Sequence, residues 1–552
     1  MNFINYISGK NLTTEERKAR KQKYTFGLIS GVMLGISFPP VPFPYLIFVA
    51  LIPYLFKLEK LNGLGEINRF TYFTAFIFNI ITLYWVGSWT PDADPFLLIA
   101  GTVLMFFNPL LFLIPSTLFY FAKRKISTKT AMLSFPLFWV TYEYLYSVTE
   151  FRFPWLTLGN SLPYFRSYIQ IADIIGAYGL SLLILYVNLF LFYSLKLFFE
   201  KKLVNSFYLS TGLTLLILPI IYGNIKINDF ELPAEKIKVG LVQPNLNPWK
   251  KWEVGNLNEQ LNMYFELSEK AVDEGAQILV WPETALPVYL LTGRYEKEVK
   301  RIRSFLDSNS VSLITGMPNV KFYHNPSLAP EDAKHLKNSK TLYTSYNSAL
   351  AFNPGMEEVQ TYGKIKLVPF GEKVPYVEKL PFLGKWIKWN VGISSWNTGT
   401  DTTVFIIDNG KLKRPVKAAA VICIESIYPG FVASFVKKGG EFIAVVTNDS
   451  WYGNSSGPYQ HKEISVLRAV ENRRFVVRAA NGGISCIIDP LGNTLEETKM
   501  FERTVLTGEI VPMKNITFYT AHPLLVPALV LVFTGIIILI MIINSIRRKT
   551  GR

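Results

Sequence analysis

Eight apolar runs constrain this chain more than any other feature of its sequence. Each run could cross the ~30 Å hydrocarbon core of a bilayer as a helix of about 20 residues, and half of the 552 residues are hydrophobic. The sequence therefore predicts a multi-pass α-helical membrane domain with eight spans, seven before a long central segment and one after it. The runs cover approximately residues 24–38, 42–56, 70–88, 95–122, 130–148, 176–199, 205–223 and 523–545.

The positive charges predict the orientation of these spans. Lysine and arginine concentrate in the short segments on one side of the predicted spans, where 20 of them accompany only five glutamates. Because cytoplasmic loops carry an excess of Lys and Arg, we expect both termini in the cytoplasm and residues 225–522 outside it. This distribution also explains the net charge of +16 without a nucleic-acid-binding surface. The basic segments are residues 1–23, 57–69, 123–129, 196–202 and 547–552.

The central segment alternates buried-strand and amphipathic-helix patterns, which predicts a layered α/β domain. We therefore divide the chain into a membrane domain (1–224), a catalytic domain (225–522), and a C-terminal span with a basic cytoplasmic tail (523–552). The predicted strands are Lys238–Gln243, Gln277–Trp281, Val311–Thr315, Ser348–Phe352, Ala418–Cys423, Phe442–Thr447, Phe475–Ala480 and Ile484–Ile488, and the predicted helices lie near 257–271, 294–308 and 459–472.

Cys423 is one of only two cysteines, and it ends a predicted strand in the sequence Val-Ile-Cys-Ile-Glu. The ends of strands are where α/β sheets place chemical groups. A free thiol is only a few per cent ionised at neutral pH, so a nucleophilic Cys423 needs a base or a cation nearby. For an arbitrary cysteine a buried hydrophobic role is the commoner interpretation. We apply that interpretation to Cys486, which lies within an apolar strand.

Two glutamates and a lysine are candidates for the base and the cation. Glu283 follows Val-Trp-Pro at a strand end, where partial burial would raise the carboxyl pKa toward that of a useful base. Lys364, with Lys366 as its competitor, would lower the thiol pKa and stabilise a tetrahedral oxyanion. Glu372 could pair with Lys364 or support the base. Taken singly, each is also explained as an ordinary helix-start or surface charge.

A cysteine–histidine pair is the usual alternative arrangement. His461 is the only histidine in a motif-like context, ahead of a charged helix. Two cysteines and four scattered histidines argue against a metal cluster, and the sequence has no phosphate-binding loop and no nucleotide fingerprint, so we predict no metal and no cofactor. A Cys423–Cys486 disulfide in an oxidising compartment stays open, although it would block the proposed nucleophile.

Further motifs accompany the Glu, Lys and Cys residues. In the central segment they are Thr447–Gly453, Arg468–Arg473, Arg478–Gly482 and Asp489–Gly492, and before it they are Pro154–Gly159, Gln170–Asp173 and Gly176–Gly179. The central motifs, with Glu, Lys and Cys in this chain order, resemble the nitrilase (carbon–nitrogen hydrolase) superfamily. The earlier motifs are similar to those in the membrane half of the apolipoprotein N-acyltransferase family.

This resemblance implies an α-β-β-α sandwich, with Cys423 as the nucleophile, Glu283 as the general base and Lys364 as the partner of the thiolate and the oxyanion. It implies supporting roles for further residues, with Ile424 acting through its backbone N–H and Trp252 in substrate binding. The family commonly has Tyr where this chain has Ile424, which leaves an aromatic contact there in doubt. The implied supporting residues are Glu372, Ile424, Glu425 and Trp252.

The resemblance also implies an activity, the last step of bacterial lipoprotein maturation. A fatty acyl chain would pass from a phospholipid, through a Cys423 thioester, to the N-terminal α-amine of diacylglyceryl-cysteine in apolipoproteins. The expected enzyme is a monomer in the bacterial inner membrane, with its catalytic domain on the periplasmic side and no nucleic-acid partner.

Two other functions stay open from the sequence: a membrane-tethered amidase that hydrolyses a small amide, and a non-catalytic receptor or scaffold. Seven preceding spans exceed what a tether needs, and Glu283, Lys364 and Cys423 together argue against a scaffold. The irregular segment 374–400, rich in Pro, Gly and Trp, is a candidate lid or membrane-dipping loop, with an ordinary packed loop as the alternative.

Overall fold

The structure is a computed structural model and describes residues 13–88, 93, 95–249, 257–376 and 396–549. The described residues of the N-terminal part are mostly helical. Its helices are α1 (Thr14–Ile36), α2 (Ile52–Leu58), α3 (Leu64–Leu83), α4 (Pro95–Leu111), α5 (Leu113–Lys125), α6 (Thr128–Val148), α7 (Ala172–Lys201) and α8 (Ser206–Asn228), with shorter helical turns at Pro44–Phe48, Tyr84–Gly87, Pro154–Leu156, Leu158–Ser161 and Arg166–Ile169.

Every predicted apolar run is largely helical, and several helices have the length and hydropathy of membrane spans. The second run is an exception in length, because its helical stretch Pro44–Leu58 is shorter than the ~20 residues that a span needs. The prediction of several apolar helices is therefore confirmed, whereas the count of eight spans stays a prediction. The stretches long and apolar enough to span are Leu64–Gly87, Leu97–Lys125, Ala172–Lys201, Ser206–Asn228 and Leu525–Arg548.

Helix α1 begins well before the apolar run that predicted it. Thr13 and Glu16 form a capping box there, in which the Glu16 backbone N–H donates to Thr13 Oγ1 and the Thr13 N–H donates to Glu16 Oε2. The reciprocal bonds satisfy amides that a helix start leaves free. The described part of the charged segment, up to residue 23, is therefore helical from Thr14 onward.

The described residues after α8 form thirteen strands in two sheets. The first sheet has the order β13-β1-β2-β3-β5-β4, with β6 also paired to β5, and the second has the order β12-β11-β10-β9-β8-β7. The strands are β1 (Ile237–Gln243), β2 (Ile278–Trp281), β3 (Ser312–Tyr323), β4 (Lys334–His335), β5 (Leu342–Phe352), β6 (Gln360–Gly363), β7 (Val404–Ile407), β8 (Val416–Ile422), β9 (Phe442–Thr447), β10 (Val476–Ala480), β11 (Cys486–Ile488), β12 (Thr494–Glu497) and β13 (Thr504–Ile510).

The two sheets pack face to face, with β1 against β10, β3 against β9 and β5 against β8. Helix α9 covers β1 and β13 on one outer face, and α11 and α12 cover β8, β10 and β11 on the other. The predicted α-β-β-α sandwich is confirmed. The longer helices that follow α8 are α9 (Leu257–Asp273), α10 (Glu296–Asn309), α11 (Pro429–Lys437), α12 (Ser456–Asn472) and α13 (Leu525–Lys549), with shorter helical turns at Pro326–Leu328, Cys423–Ile427, Asp449–Tyr452 and Phe518–Ala521.

All eight predicted strands exist, but five short or exposed strands were not predicted. Strand β3 also continues eight residues past its predicted end, paired in register with β5. The continuation alternates less clearly because its outer residues are partly or fully exposed, so the apolar pattern that identifies a buried strand is missing there. The strands without a prediction are β4, β6, β7, β12 and β13.

Helix α12 joins the sandwich to the membrane helices. It packs against α7, and beside it Arg473 donates to Asp173 at 2.7 Å, while Glu471 accepts from the Ala177 backbone N–H at 2.9 Å. Gly176 has φ of +62° within α7, and a Cβ there would lie 2.2 Å from the Tyr519 ring. This kink therefore requires glycine, and the two parts of the molecule share a polar, closely packed interface.

Candidate active site

Cys423 lies directly after β8, where the chain turns from the strand into a short 3₁₀ helix at Cys423–Ile427. Its φ is +50°, a conformation that non-glycine residues rarely adopt and that concentrates at functional sites. Both cysteines are free thiols, and Cys423 is partly exposed whereas Cys486 is buried in β11. The strand-end position predicted for Cys423 is confirmed.

Glu425 fastens this turn to the loop that carries the candidate lysine. Its Oε1 accepts from the Tyr362 hydroxyl at 2.7 Å and from the backbone N–H groups of Ile365 (2.7 Å) and Lys366 (3.1 Å). Its Oε2 accepts from the Ile422 N–H at 3.0 Å. Glu425 is fully buried, so it acts on the site by holding two loops together and does not face the pocket.

We expect Glu425→Gln to reduce both the thermal stability and the specific activity of the purified protein. A carboxylate accepts from all four donors, whereas an amide nitrogen would face at least one of them. Each unsatisfied buried group costs about 1–3 kcal/mol. Thermal unfolding and activity per folded molecule measure the two effects, and a variant with wild-type values for both would show that Glu425 does not fasten the loops.

Four polar side chains form the centre of the site. Lys364 Nζ lies 3.1 Å from Glu283 Oε1 and 2.8 Å from Glu372 Oε1. Asn347 Nδ2 donates to the same two oxygens at 2.7 and 2.8 Å. The side chain of Lys364 is 1% exposed, so the ion pairs are shielded from solvent. The structure thus brings together Glu283, Lys364 and Glu372, as the sequence predicted.

The two glutamates differ in how many of their oxygens are occupied. Glu372 accepts at Oε1 from Asn347 and Lys364, and at Oε2 from the Val368 backbone N–H at 2.8 Å. In the part of the chain that the structure describes, the hydrogen bonds to the Glu283 carboxylate all converge on Oε1. Glu283 Oε2 is therefore the carboxylate oxygen that can take a proton without losing a bond.

Opposing charges act on the Cys423 thiol and on the Lys364 ammonium group. Burial lowers the pKa of Lys364, but the carboxylates of Glu283 and Glu372 outweigh burial and leave the pKa well above its usual range. Burial raises the pKa of the Cys423 thiol, the charge of Glu283 raises it further, and Lys364 lowers it. The net pKa of the thiol lies above its ordinary value. A neutral thiol beside a carboxylate and a fixed ammonium group suits general-base catalysis.

A tight turn presents Glu283 to this cluster. Thr284, the next residue, has φ of +48°, and the Ala285 N–H donates to the Gly316 carbonyl at 2.7 Å. A Cβ at Gly316 would lie 2.5 Å from Glu283 Cα. Only glycine allows β3 to approach this closely, so Gly316 fixes the position of the Glu283 backbone.

The pocket around Cys423 has an aromatic and apolar wall. Trp249, Trp396, Trp451 and Tyr452 line it, together with Leu97 from helix α4. Trp249 and Trp451 pack edge to face with their ring centroids 4.8 Å apart. Because the stretch that begins at Leu97 has the hydropathy of a membrane span, the cluster of Glu283, Lys364 and Glu372 and an apolar helix line one pocket.

The two alternative candidates, Lys366 and His461, lie outside the cluster of Glu283, Lys364 and Glu372. Lys366 Nζ is 5.5 Å from the ring centroids of Tyr428 and Phe431, and burial, reinforced by Arg152, lowers its pKa. His461 Nε2 contacts the backbone carbonyl of Cys423 at 3.1 Å. Among the described residues no hydrogen bond joins His461 to the Cys423 thiol, so the geometry favours Lys364 over Lys366 and does not form a cysteine–histidine pair.

Two sequence predictions fall on residues that the structure does not describe, namely Trp252 and most of the segment 374–400. Ile424 follows Cys423 with its side chain buried in the core. Sequence reasoning missed Asn347, which bridges the two carboxylates. An asparagine in the interior of a strand is uncommon, and that position was the signal that could have identified it.

Comparisons with known proteins cover both parts of the chain. A carbon-nitrogen hydrolase family model matches residues 238–514, and the model of the apolipoprotein N-acyltransferase N-terminal domain matches residues 30–190. The chain is 35% identical to an apolipoprotein N-acyltransferase of Chlorobaculum tepidum, covering 93% of this chain and 95% of that protein.

A second apolipoprotein N-acyltransferase, from Geobacter metallireducens, is 33% identical to the chain. The alignment covers 91% of this chain and 92% of that protein. Among solved structures, an amidase from Nesterenkonia sp. aligns with a TM-score of 0.34 and 15% identity, over 53% of this chain and 94% of that one.

Proposed function

The chain belongs to the apolipoprotein N-acyltransferase family, and from this premise we propose that it transfers a fatty acyl chain from a phospholipid to diacylglyceryl-modified apolipoproteins through a Cys423 thioester. The acceptor is the N-terminal α-amine of the diacylglyceryl-cysteine. The reaction takes place on the periplasmic side of the bacterial inner membrane, with residues 225–522 as the catalytic domain and both termini in the cytoplasm.

In the first half-reaction Glu283 Oε2 takes the thiol proton as Cys423 Sγ attacks the ester carbonyl of the phospholipid. Lys364 and the backbone N–H of Ile424 stabilise the oxyanion that forms. The tetrahedral intermediate collapses, Glu283 returns the proton to the leaving alcohol, and a lysophospholipid departs. The acyl group is then held on Cys423 as a thioester.

In the second half-reaction the α-amine of the apolipoprotein attacks the thioester carbonyl, and Glu283 accepts the proton that the amine loses. The oxyanion forms between the same two donors. Collapse expels the Cys423 thiolate, which regains its proton, and the product carries an amide bond. Two substrates that share one covalent intermediate give ping-pong kinetics.

The observation that supports a lipid donor is the presence of Leu97 and three tryptophans in the pocket of the catalytic cluster. Moving a methylene group from an apolar medium into water costs about 0.8 kcal/mol, so a chain of about 16 carbons costs on the order of 12 kcal/mol to extract. An enzyme that handles such chains repeatedly needs an apolar route from the bilayer to its nucleophile.

The test is the intact mass of the purified protein after incubation with phospholipid alone. We expect a fatty-acyl increment that hydroxylamine removes, and no increment in Cys423→Ala. Cys423→Ser is expected to fold normally and to have no turnover. If neither protein gains mass although phospholipid is bound, the proposed donor and thioester are wrong, and an amidase that hydrolyses small amides becomes the better explanation.

A further inference from the structure

Two adjacent residues on α12 connect the membrane helices to the nucleophile. Gln460 faces the helical part of the molecule: its Oε1 accepts from the indole N–H groups of Trp155 (2.7 Å) and Trp85 (3.1 Å), and its Nε2 donates to the Thr82 carbonyl at 3.1 Å. Gln460 is 3% exposed. Its amide group is therefore committed to the domain interface.

His461 faces the opposite way, toward the turn at Cys423. Its Nδ1 lies 2.9 Å from Asp449 Oδ1, and its Nε2 lies 2.8 Å from Ser426 Oγ and 3.1 Å from the Cys423 carbonyl oxygen. Ser426 Oγ also donates to that carbonyl, at 2.8 Å. The Trp155 ring lies 5.5 Å from the imidazole ring, so one indole contacts both residues.

The anchor of His461 is itself fixed. Arg478 donates to Asp449 Oδ2, and Thr447 Oγ1 donates to Asp449 Oδ1 at 3.1 Å. Burial raises the pKa of Asp449, but the charges of Arg478 and His461 outweigh burial and hold the pKa well below its usual range. An ionised Asp449 accepts from Nδ1–H and orients the ring, so that Nε2 faces Ser426 Oγ and the Cys423 carbonyl. A carbonyl oxygen only accepts, so Nε2 holds it by a hydrogen bond when both ring nitrogens carry a proton.

The carbonyl that His461 and Ser426 contact belongs to the peptide group between Cys423 and Ile424. Because a peptide group is planar and trans, fixing the direction of its oxygen also fixes the direction of its N–H. That N–H is the proposed oxyanion donor. The φ of +50° at Cys423 is a strained conformation, which persists only where the surrounding structure imposes it.

We propose that Gln460 and His461 are positioning residues, through which docking on the membrane helices holds the Cys423 backbone and aims the Ile424 N–H at the oxyanion. This inference rests on the proposed function for the role of Ile424. It assigns the two indoles, Trp85 and Trp155, a part in the reaction although neither needs to touch a substrate.

The first test compares variants of Gln460 in the full-length protein. Gln460→Leu removes the acceptor of the Trp155 indole and one of the two acceptors of the Trp85 indole, which also donates to the Thr82 carbonyl at 2.9 Å. Gln460→Glu keeps an acceptor oxygen and loses the amide donor. We expect Gln460→Leu to slow single-turnover thioester formation about a hundredfold, the loss that a misplacement of about 1 Å causes, with the KM for apolipoprotein close to wild type. Gln460→Glu should recover most of the rate.

A matched control separates positioning from docking in general. Gln170 is a buried amide at the same interface, where it accepts from Arg473 at 2.5 Å and donates to the Leu491 carbonyl at 3.0 Å, without a contact to the Cys423 turn among the described residues. Gln170→Leu should lower the melting temperature but leave the thioester rate near wild type. Equal losses of rate in Gln170→Leu and Gln460→Leu at equal melting temperatures would overturn the proposal.

The second test uses the position of the amide in two replacements of His461. Gln places its amide nitrogen near Nε2, facing the Cys423 carbonyl, whereas Asn places it near Nδ1, facing Asp449. His461→Gln should therefore retain far more activity than His461→Asn, and the reverse order would contradict the inference.

Alkylation of Cys423 by iodoacetamide gives a readout that needs no lipid. If wild-type protein forms no thioester, the proposed donor is wrong. A loss of alkylation in Gln460→Leu, restored in Gln460→Glu, would still support positioning of the nucleophile. Unchanged rates of alkylation and of acylation in Gln460→Leu would contradict the proposed positioning role.

Discussion

Replacing Lys364 with alanine is expected to slow thioester formation about a thousandfold, because the variant lacks the ammonium group that we propose as the partner of the oxyanion. The change also removes the group that lowers the pKa of the Cys423 thiol. Less thiolate is then present at any given pH, so alkylation of Cys423 by iodoacetamide should slow as well. Intact-mass measurements of acylation and alkylation, each at a fixed pH, follow both losses.

The same variant should unfold at a lower temperature than the wild type. Without Lys364, Asn347 is the one donor among the described residues that the carboxylates of Glu283 and Glu372 share, and Glu372 keeps the Val368 N–H besides it. An uncompensated buried charge costs about 3–5 kcal/mol. Thermal unfolding of the variant beside the wild type measures the loss, and equal melting temperatures would show that the ion pairs of Lys364 do not stabilise the fold.

Lys366→Ala is the matched control for this prediction. Lys366 is two residues away and carries the same charge, but its ammonium group packs over Tyr428 and Phe431. We expect a mild loss in the rate of acylation and no change in how the rate of Cys423 alkylation depends on pH. A severe loss of acylation in Lys366→Ala with a mild loss in Lys364→Ala would show that Lys366, and not Lys364, is the cation of the site.

Much of the fold could be predicted because it follows from local patterns. Apolar runs of helical length identified the membrane helices, and short apolar runs identified the inner strands β1, β2, β8, β9 and β10, which are buried on both faces. The outer half of β3 and the edge strands could not be predicted in this way. They are partly exposed, so the apolar pattern of a buried strand is missing, and β13 pairs with β1 from the other end of the domain, with Ile237 opposite Ile510.

The candidate site was predicted as far as single residues at strand ends can reveal it. Glu283, Lys364 and Cys423 stand at such positions, and the structure gathers them with Glu372 into one cluster. The bonds that organise the cluster could not be predicted, because they join residues far apart in the chain. Asn347 donates to Glu283 across 64 residues of sequence, and Gln460 accepts from Trp85 across 375 residues. Only the folded chain reveals these hydrogen bonds.

Glu283→Gln should separate the reactivity of the thiol from its acylation. Glutamine keeps the shape of the side chain, and its amide oxygen can still accept from Lys364 and Asn347, but it cannot take a proton. We expect thioester formation to fall about a thousandfold, within the range for loss of a general base. The charge of Glu283 raises the pKa of Cys423, so its removal lowers that pKa, and alkylation at a fixed pH should become faster.

Opposite changes in the two rates distinguish a lost base from a damaged site, since misfolding or a closed pocket would slow both. Glu372→Gln provides the matched comparison, because both oxygens of Glu372 already accept hydrogen bonds from Asn347, Lys364 and the Val368 N–H. An amide nitrogen in Glu372→Gln would face one of these donors. We therefore expect a clear loss of melting temperature and only a small loss in the rate constant for acylation. If instead Glu372→Gln abolishes acylation at an unchanged melting temperature while Glu283→Gln retains it, Glu372 is the base and Glu283 its support.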